Sequence, residues 1–316
     1  MTKIKNLLPV IFTIIIITIM TAASEVLAER EIIFPEIAAI AIGCLLAPKM
    51  TWNTNKVRIF ALIALCAGSG LIIVWFMPGP VWLQMIVAYC VGQLYFMYSR
   101  TTFAPMISAI VLPVLLQSRS IIYFASAVIF TLLILIFRLI LERCEIRPLI
   151  DYDKAPLPDF LKFRDFLIRL CLAAICICPA LLLDFRFAVA PPLLVAFTEF
   201  TSPVNKAVKT PVKTVIFIAL CALTGSVCRF ILTMTLGLPL ALAALVYSIL
   251  MIAFIRKLSL YIPPAGALGV LAMLIPASYV IIYPLQILTG AAVFMFLACT
   301  LFQQRLYAKN ASSPVN

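Results

Sequence analysis

Three ionisable residues lie within or at the edges of apolar segments, where they could carry chemistry. Glu36 and Glu199 are carboxylates near the ends of two segments, and Arg229 lies about seven residues, or roughly 10 Å, inside a third. A carboxylate within a membrane can take up and release a proton that is coupled to a solute. Near a span end, the same side chains can simply reach water. We therefore interpret all three as candidates for coupling and keep the solvated alternative open.

The composition excludes several other kinds of chemistry. The chain contains no histidine, which excludes a histidine proton relay, a serine–histidine–aspartate triad and the usual zinc sets. Its ten cysteines form no CxxC pair and lie mostly in apolar runs, as is typical of small residues at helix contacts. No GxxxxGK[ST] phosphate loop is present. We expect no enzymatic activity, no metal and no cofactor.

The chain around these residues is far too apolar for a soluble domain. Of its 316 residues, 65% are hydrophobic and 11% are charged, and the mean hydropathy is +1.18. Soluble domains carry roughly a quarter charged residues. The hydropathy pattern predicts about twelve membrane spans. They cover residues 7–23, 33–47, 59–77, 81–98, 103–117, 121–141, 167–183, 188–201, 214–236, 238–255, 262–276 and 286–304.

The net charge of +12 follows the predicted topology. With the N-terminus in the cytoplasm, all but four of the 24 Lys and Arg residues fall on the inner side, which is a strong positive-inside bias. The exceptions are Arg30, Arg119, Arg186 and Arg229. This bias predicts a bacterial inner-membrane protein with both termini cytoplasmic, and a lipid bilayer rather than a nucleic acid as its partner. The first apolar run imitates a signal peptide but is long enough to span, so we expect it to be retained.

A duplicated string indicates an internal repeat. The pattern IALCAxxG begins at Ile63 and recurs at Ile218, 155 residues later, and each copy follows a proline, Pro48 or Pro203, at the same distance. Six spans per copy is an even number, so the copies share one orientation. The sequence predicts an all-α polytopic membrane protein of two parallel six-helix repeats. The predicted units are a first repeat at 1–142, a cytoplasmic linker at 143–166, a second repeat at 167–306 and a cytoplasmic tail at 307–316.

Four of the predicted spans are unusually short and begin at prolines. Spans two, five, eight and eleven provide about 20 Å of helix, against the roughly 30 Å of a bilayer core. This pattern favours broken half-helices, although prolines that merely mark the ends of tilted spans remain an alternative. Half-helix N-termini can bind an anion without a cationic side chain. Lysines after span eight could form a cytoplasmic vestibule or act only as positive-inside anchors. The predicted substrate-binding residues are Pro35, Pro105, Ser108, Pro191, Ser202, Lys206, Lys213, Pro264, Ala265 and Gly266.

The segment from Ile262 to Ala267 reads Ile-Pro-Pro-Ala-Gly-Ala and resembles the signature of the HPP family of integral membrane proteins. In that signature a histidine precedes Pro-Pro-Ala-Gly-Ala, and Ile262 stands in its place here. Pro191-Pro192, Ser202-Pro203 and Thr210-Pro211 are further matches, so the resemblance covers about residues 185–280. It implies a small membrane protein and, because plastid and cyanobacterial members are implicated in nitrite transport, a small-anion substrate. The six-span layout is more distantly similar to fusaric-acid-resistance and aromatic acid exporter proteins.

These observations predict a secondary transporter of a small anion, either nitrite-like or a small carboxylate, with its site between the repeats. Two other classes stay open. The chain could export organic or aromatic acids together with a periplasmic adaptor, or it could be a non-transporting scaffold subunit with a pathway sealed by apolar residues. A homo-oligomer is compatible with each of these hypotheses.

Overall fold

The computed structural model describes residues 2–202 and 205–303, and within these ranges the chain is helical without strands. Helices α2, α9 and α12 continue into the π-helical turns Ile42–Leu46, Arg229–Thr235 and Cys299–Gln303. The helices are α1 (Thr2–Val26), α2 (Glu36–Ala41), α3 (Lys56–Phe76), α4 (Val81–Tyr98), α5 (Pro105–Leu116), α6 (Ile121–Arg143), α7 (Phe160–Leu182), α8 (Pro191–Phe200), α9 (Pro211–Cys228), α10 (Leu240–Leu258), α11 (Pro263–Leu274) and α12 (Tyr283–Ala298).

Eight helices in the described part of the chain are long and apolar enough to cross a membrane. They are α1, α3, α4, α6, α7, α9, α10 and α12 with their extensions. The prediction of an all-helical fold is confirmed for the described residues, and the eight apolar helices are consistent with a membrane protein. The other four helices, α2, α5, α8 and α11, lie where the sequence predicts short spans.

The four short helices form the centre of the bundle. Every residue of α2, its extension and α11 is buried, and so are α5 up to Leu115 and all of α8 except the half-buried Glu199. Helices α5, α8 and α11 have proline in their first turn, and Pro35 directly precedes α2. Proline suits this position because its missing N–H would have no helical partner there. The long helices surround this core and expose apolar side chains on their outer faces, such as Ile11, Ile129 and Ile249.

Several helix contacts among the first six helices have equivalents among the last six. Helix α2 packs against α11, and its counterpart α8 packs against α5. In the same way α1 packs against α10 and α7 against α4. Within each half, α3 contacts α5 and α6, just as α9 contacts α11 and α12. Each short helix therefore contacts helices of both the first six and the last six.

Loops and the interhelical segment meet at one end of the bundle, which we call the linker end. It comprises the loops 47–55 and 99–104 and the segment 144–159. The Asn53 N–H donates to Thr102 Oγ1 over 2.8 Å, and Asn53 Nδ2 donates to the Asp153 carbonyl over 2.7 Å. Arg100 Nε donates to the Ala155 carbonyl over 2.5 Å. Helix α7 begins at Phe160, where the Asp159 carboxylate accepts from the Lys162 N–H and caps it.

Glycines bring a long helix close to a short one at equivalent points in the two halves. A Cβ on Gly70 of α3 would lie 2.5 Å from the Ile110 carbonyl oxygen of α5. A Cβ on Gly225 of α9 would meet the carbonyl oxygen of Gly269 on α11 in the same way. Small residues of this kind let helix backbones approach closely in membranes.

We expect Gly70→Ala to destabilise the protein, because the new methyl group would overlap the α5 backbone rather than a movable side chain. Overpacking of this kind costs about 1–3 kcal/mol. Gly68→Ala on the same helix is the matched control, since its Cβ would lie 3.7 Å from the Phe124 ring in ordinary contact. Thermal denaturation in detergent should show a lower Tm for Gly70→Ala only. Equal Tm values for the two variants would contradict this packing.

Candidate functional site

The N-terminus of α2 holds a buried carboxylate without a hydrogen-bond partner. Glu36 is 1% exposed, and among the described residues neither of its carboxylate oxygens has a partner. Ser108, one turn into α5, is its neighbour, and the Ser108 hydroxyl likewise has no partner within normal geometry. Buried polar groups are nearly always hydrogen-bonded, since an unpaired one costs several kcal/mol. Two adjacent exceptions therefore mark a place where a proton or a small solute could bind.

Two tyrosines flank this pair. Tyr123 of α6 and Tyr283 of α12 are buried and lie near enough to Glu36 to feel its charge. The Tyr123 hydroxyl donates to the Ala109 carbonyl over 2.9 Å, and the Tyr283 hydroxyl donates to the Leu268 carbonyl over 2.6 Å. Because each tyrosine hydroxyl donates its proton to a backbone carbonyl of a short helix, neither tyrosine donates a hydrogen bond to the Glu36 carboxylate.

A second polar cluster lies at the C-terminal end of α8. Gln93 Nε2 donates to Thr198 Oγ1 over 2.6 Å, and the Tyr89 hydroxyl lies 3.2 Å from the same oxygen. The next residue, Glu199, accepts a hydrogen bond from Trp52 Nε1 over 2.8 Å. These contacts link α4 and the loop after α2 to α8, so the cluster joins the two halves of the chain.

Neither Glu36 nor Glu199 has a basic ion-pair partner among the described residues. Glu36 and Glu199 are close enough to repel each other as anions. The ion pairs among the described residues involve Glu142, Asp165 and Asp184 instead. An anionic solute in this region would therefore bind more readily when at least one of the two carboxylates carries a proton.

Buried arginines satisfy the C-terminal ends of the short helices. Arg229 Nη1 donates to the carbonyls of Ala272 (2.7 Å) and Ile275 (2.6 Å) at the end of α11. Arg138 Nη1 donates to the Cys44 carbonyl over 2.7 Å at the end of the α2 extension. The last carbonyls of a helix lack partners, and a cation at that position also complements the helix dipole. Arg229, which the sequence marks as a coupling candidate, thus has a helix-capping role in this structure.

The other predicted site residues lie partly in the core and partly near the linker end. Pro35, Pro105, Pro191 and Pro264 are all buried at the starts of the short helices. Of the predicted residues on these helices, Glu36 and Ser108 are brought together. That the half-helix N-termini bind an anion stays a prediction.

The remaining residues of the predicted site follow α8 or open α11. Gly266 packs tightly against Ile42 of the α2 extension, and the adjacent Ala265 is buried. Ser202 is half-buried, and its N–H donates to the Glu199 carbonyl over 3.1 Å. Lys213 is exposed in the first turn of α9. Lys206 opens a short 3-10 turn, and its side chain, like Pro203, lies outside the described residues.

Sequence reasoning misses the groups that surround Glu36. The tyrosines at 123 and 283 look like ordinary aromatic residues near span ends, although both follow a short span at a similar distance. Trp52 lies in a loop, and only the tertiary fold brings it to Glu199. The i,i+4 pair of Arg138 and Glu142 at the end of an apolar helix is a signal that could indicate a buried ion pair.

No protein-family model matches the sequence, and no curated protein or solved structure is detectably similar to it. The resemblance to the HPP family therefore stays a prediction. Among the described residues no group of three or more His, Cys, Asp or Glu side chains could hold a metal ion.

Proposed function

We propose that this protein is a secondary membrane transporter in which a small anion crosses together with a proton carried by Glu36. The single observation that carries the proposal is the buried Glu36 carboxylate, which has no partner within normal hydrogen-bond geometry among the described residues and lies beside the Ser108 hydroxyl. Such a group is strongly disfavoured as an anion, so its charge depends on the solute and water that reach it.

The framework of the proposal is a pair of parallel six-helix repeats at 1–142 and 167–306, twelve spans in all. The recurring helix contacts support it, and so do two equivalent close approaches, of Gly70 to Ile110 and of Gly225 to Gly269. Ile110 and Gly269 are 159 residues apart, the same separation as Ala109 and Leu268, whose carbonyls accept from the two tyrosines. At that separation the counterpart of Ser108 is Ala267, so the hydroxyl beside Glu36 belongs to the first repeat only.

Proton coupling reconciles an anionic substrate with an acidic site. The N-terminus of α2 offers backbone N–H groups and a partial positive charge to an anion. Ionised Glu36 and Glu199 would oppose the same anion across a low-dielectric core. Protonation of Glu36 removes that repulsion, so proton and anion bind together and leave together. The substrates proposed on this basis are nitrite-like anions and small carboxylates.

A small organic cation that exchanges for a proton is the second candidate substrate. Buried Glu36 and half-buried Glu199 favour it, because an ionised carboxylate without a basic partner can pair directly with a cation. A scaffold subunit, by contrast, has no need for an unpaired carboxylate in its core.

The direction of proton movement distinguishes these functions. Proteoliposomes that enclose a pH-sensitive dye are given inward gradients of nitrite, small carboxylates or small organic cations, and protein-free liposomes supply the background. Symport of an anion with a proton acidifies the lumen saturably, which is the result we expect. Exchange of a cation for a proton makes the lumen alkaline and would overturn the anionic substrate. No change above background with any solute would overturn the transporter itself.

A further inference from the structure

A cavity of about 360 Å³ opens near the linker end of the bundle, away from Glu36 and Ser108. It lies between α1, the end of the α2 extension, the interhelical segment and α10. Its apolar wall comes from α1, α10 and the α2 extension, while its polar groups come from the interhelical segment, α10 and the loop after α10. The residues that characterise it are Val10, Leu46, Arg147, Ile252, Arg256 and Tyr261.

The polar part of the cavity is positively charged. Two of its lining residues are arginines, Arg147 and Arg256, and none of the lining residues is acidic. Partial burial lowers the pKa of the Arg147 guanidinium, and the neighbouring charge of Arg138 lowers it further. Tyr261 lies close to Arg147 and adds a phenolic hydroxyl. An anion with several acceptor oxygens would match this lining.

The Arg147 side chain is held in place and still has donors to offer. Its Nε and Nη2 donate to the carbonyls of Leu45 (2.8 Å) and Leu46 (2.9 Å), and its Nη1 donates to the Ile146 carbonyl over 3.2 Å. A guanidinium has five N–H donors, so two of those of Arg147 have no partner among the described residues. A fixed guanidinium suits a phosphate group because it can donate two hydrogen bonds at once.

The surroundings of the cavity combine this charge with apolar surface. Val10 and Ile252 line it, and the outer faces of the same helices expose Leu7, Ile11 and Ile249. An amphiphile could therefore place its head on the arginines and its chains along α1 and α10.

We infer that this cavity binds a phosphate group, as carried by an anionic phospholipid or by free phosphate. The apolar wall and the exposed helix faces beside it favour the lipid. Because Arg147 also binds the carbonyls at the end of the α2 extension, a bound phosphate would hold that end in place. The inference stands on this cavity alone and does not depend on which solute the protein transports.

The test uses the full chain in a neutral detergent. Native mass spectrometry and thermal denaturation are recorded with phosphatidylglycerol, with phosphatidylcholine, and with inorganic phosphate alone. The variants are Arg256→Gln, Tyr261→Phe and, as the control, Lys257→Gln, an exposed cation adjacent to Arg256 that does not line the cavity. Arg147 is left intact because its replacement would also free the carbonyls of the α2 extension.

We expect retained phosphatidylglycerol and a raised Tm for the wild type, with phosphatidylcholine much weaker. Arg256→Gln should lower the affinity for phosphatidylglycerol about tenfold, the loss of one charge-assisted hydrogen bond, and Lys257→Gln should not. If inorganic phosphate alone saturates the cavity, the phosphate group that binds there is soluble phosphate rather than a lipid headgroup. Absence of binding by both phosphatidylglycerol and inorganic phosphate would overturn the inference, as would equal losses in Arg256→Gln and Lys257→Gln.

Discussion

Replacement of Glu36 by glutamine is expected to abolish uptake driven by a pH gradient while the protein stays folded. Glutamine has nearly the same shape and mimics the protonated acid permanently, so the variant can bind the anion but cannot exchange the proton. Because the proton gradient then supplies no driving force, accumulation should fall to the level of protein-free liposomes, a loss of about tenfold for each pH unit of gradient if one proton accompanies one anion. Exchange of labelled for unlabelled solute, which needs no net proton movement, should persist.

The control for this experiment is Glu145→Gln, which removes an exposed carboxylate in the loop after α6. It should transport like the wild type. Ser108→Ala should lower uptake less than Glu36→Gln, since it removes the neighbouring hydroxyl without removing the ionisable group. Normal gradient-driven accumulation by Glu36→Gln would show that Glu36 does not carry the proton.

Replacement of Arg138 by leucine is expected to have the largest effect on stability. Arg138 is fully buried on α6, where its Nε donates to Glu142 over 2.9 Å and its Nη2 donates to the Pro148 carbonyl over 2.6 Å. Its third partner is the Cys44 carbonyl at the end of the α2 extension. Loss of one member of a buried ion pair costs about 3–5 kcal/mol, because the other charge stays buried. The Tm should fall on the order of 10 °C.

Arg143→Leu is the matched control, since Arg143 is an exposed arginine at the end of the same helix. It should change the Tm by far less. The double variant Arg138→Leu/Glu142→Leu should recover part of the loss, because it also removes the buried Glu142 charge that only Lys56 would then neutralise. Equal Tm values for Arg138→Leu and Arg143→Leu would contradict the buried role of Arg138.

Hydropathy and proline positions were sufficient to predict where the helices lie. The short spans predicted to open at Pro105 and Pro191 begin at those residues in the structure. The start of α7 was harder to predict, because its first turns carry Lys162, Arg164 and Asp165 and have the composition of a loop. Hydropathy detects segments that lie in lipid, whereas the polar first turn of α7 is stabilised by its N-cap, Asp159.

The candidate site could be predicted only in part, because its chemistry depends on tertiary contacts. The sequence marks Glu36 and Ser108 separately, and only the packing of α2 beside α5 brings them together. A position near a span end favours a solvated Glu36, yet this side chain is 1% exposed because the short helices lie inside the bundle. For Arg229 the carbonyls that it caps lie more than forty residues further along the chain, beyond the reach of local patterns.

Uptake of labelled nitrite or a labelled small carboxylate by the wild-type protein in proteoliposomes tests whether anion and proton move together. Initial rates are compared with the outside more acidic than the inside and with equal pH on both sides, after subtraction of uptake by protein-free liposomes. We expect saturable uptake that the inward proton gradient accelerates and that a proton ionophore reduces to the rate at equal pH. Saturable uptake that is indifferent to the gradient, or no uptake under either condition, would contradict the coupling of anion to proton.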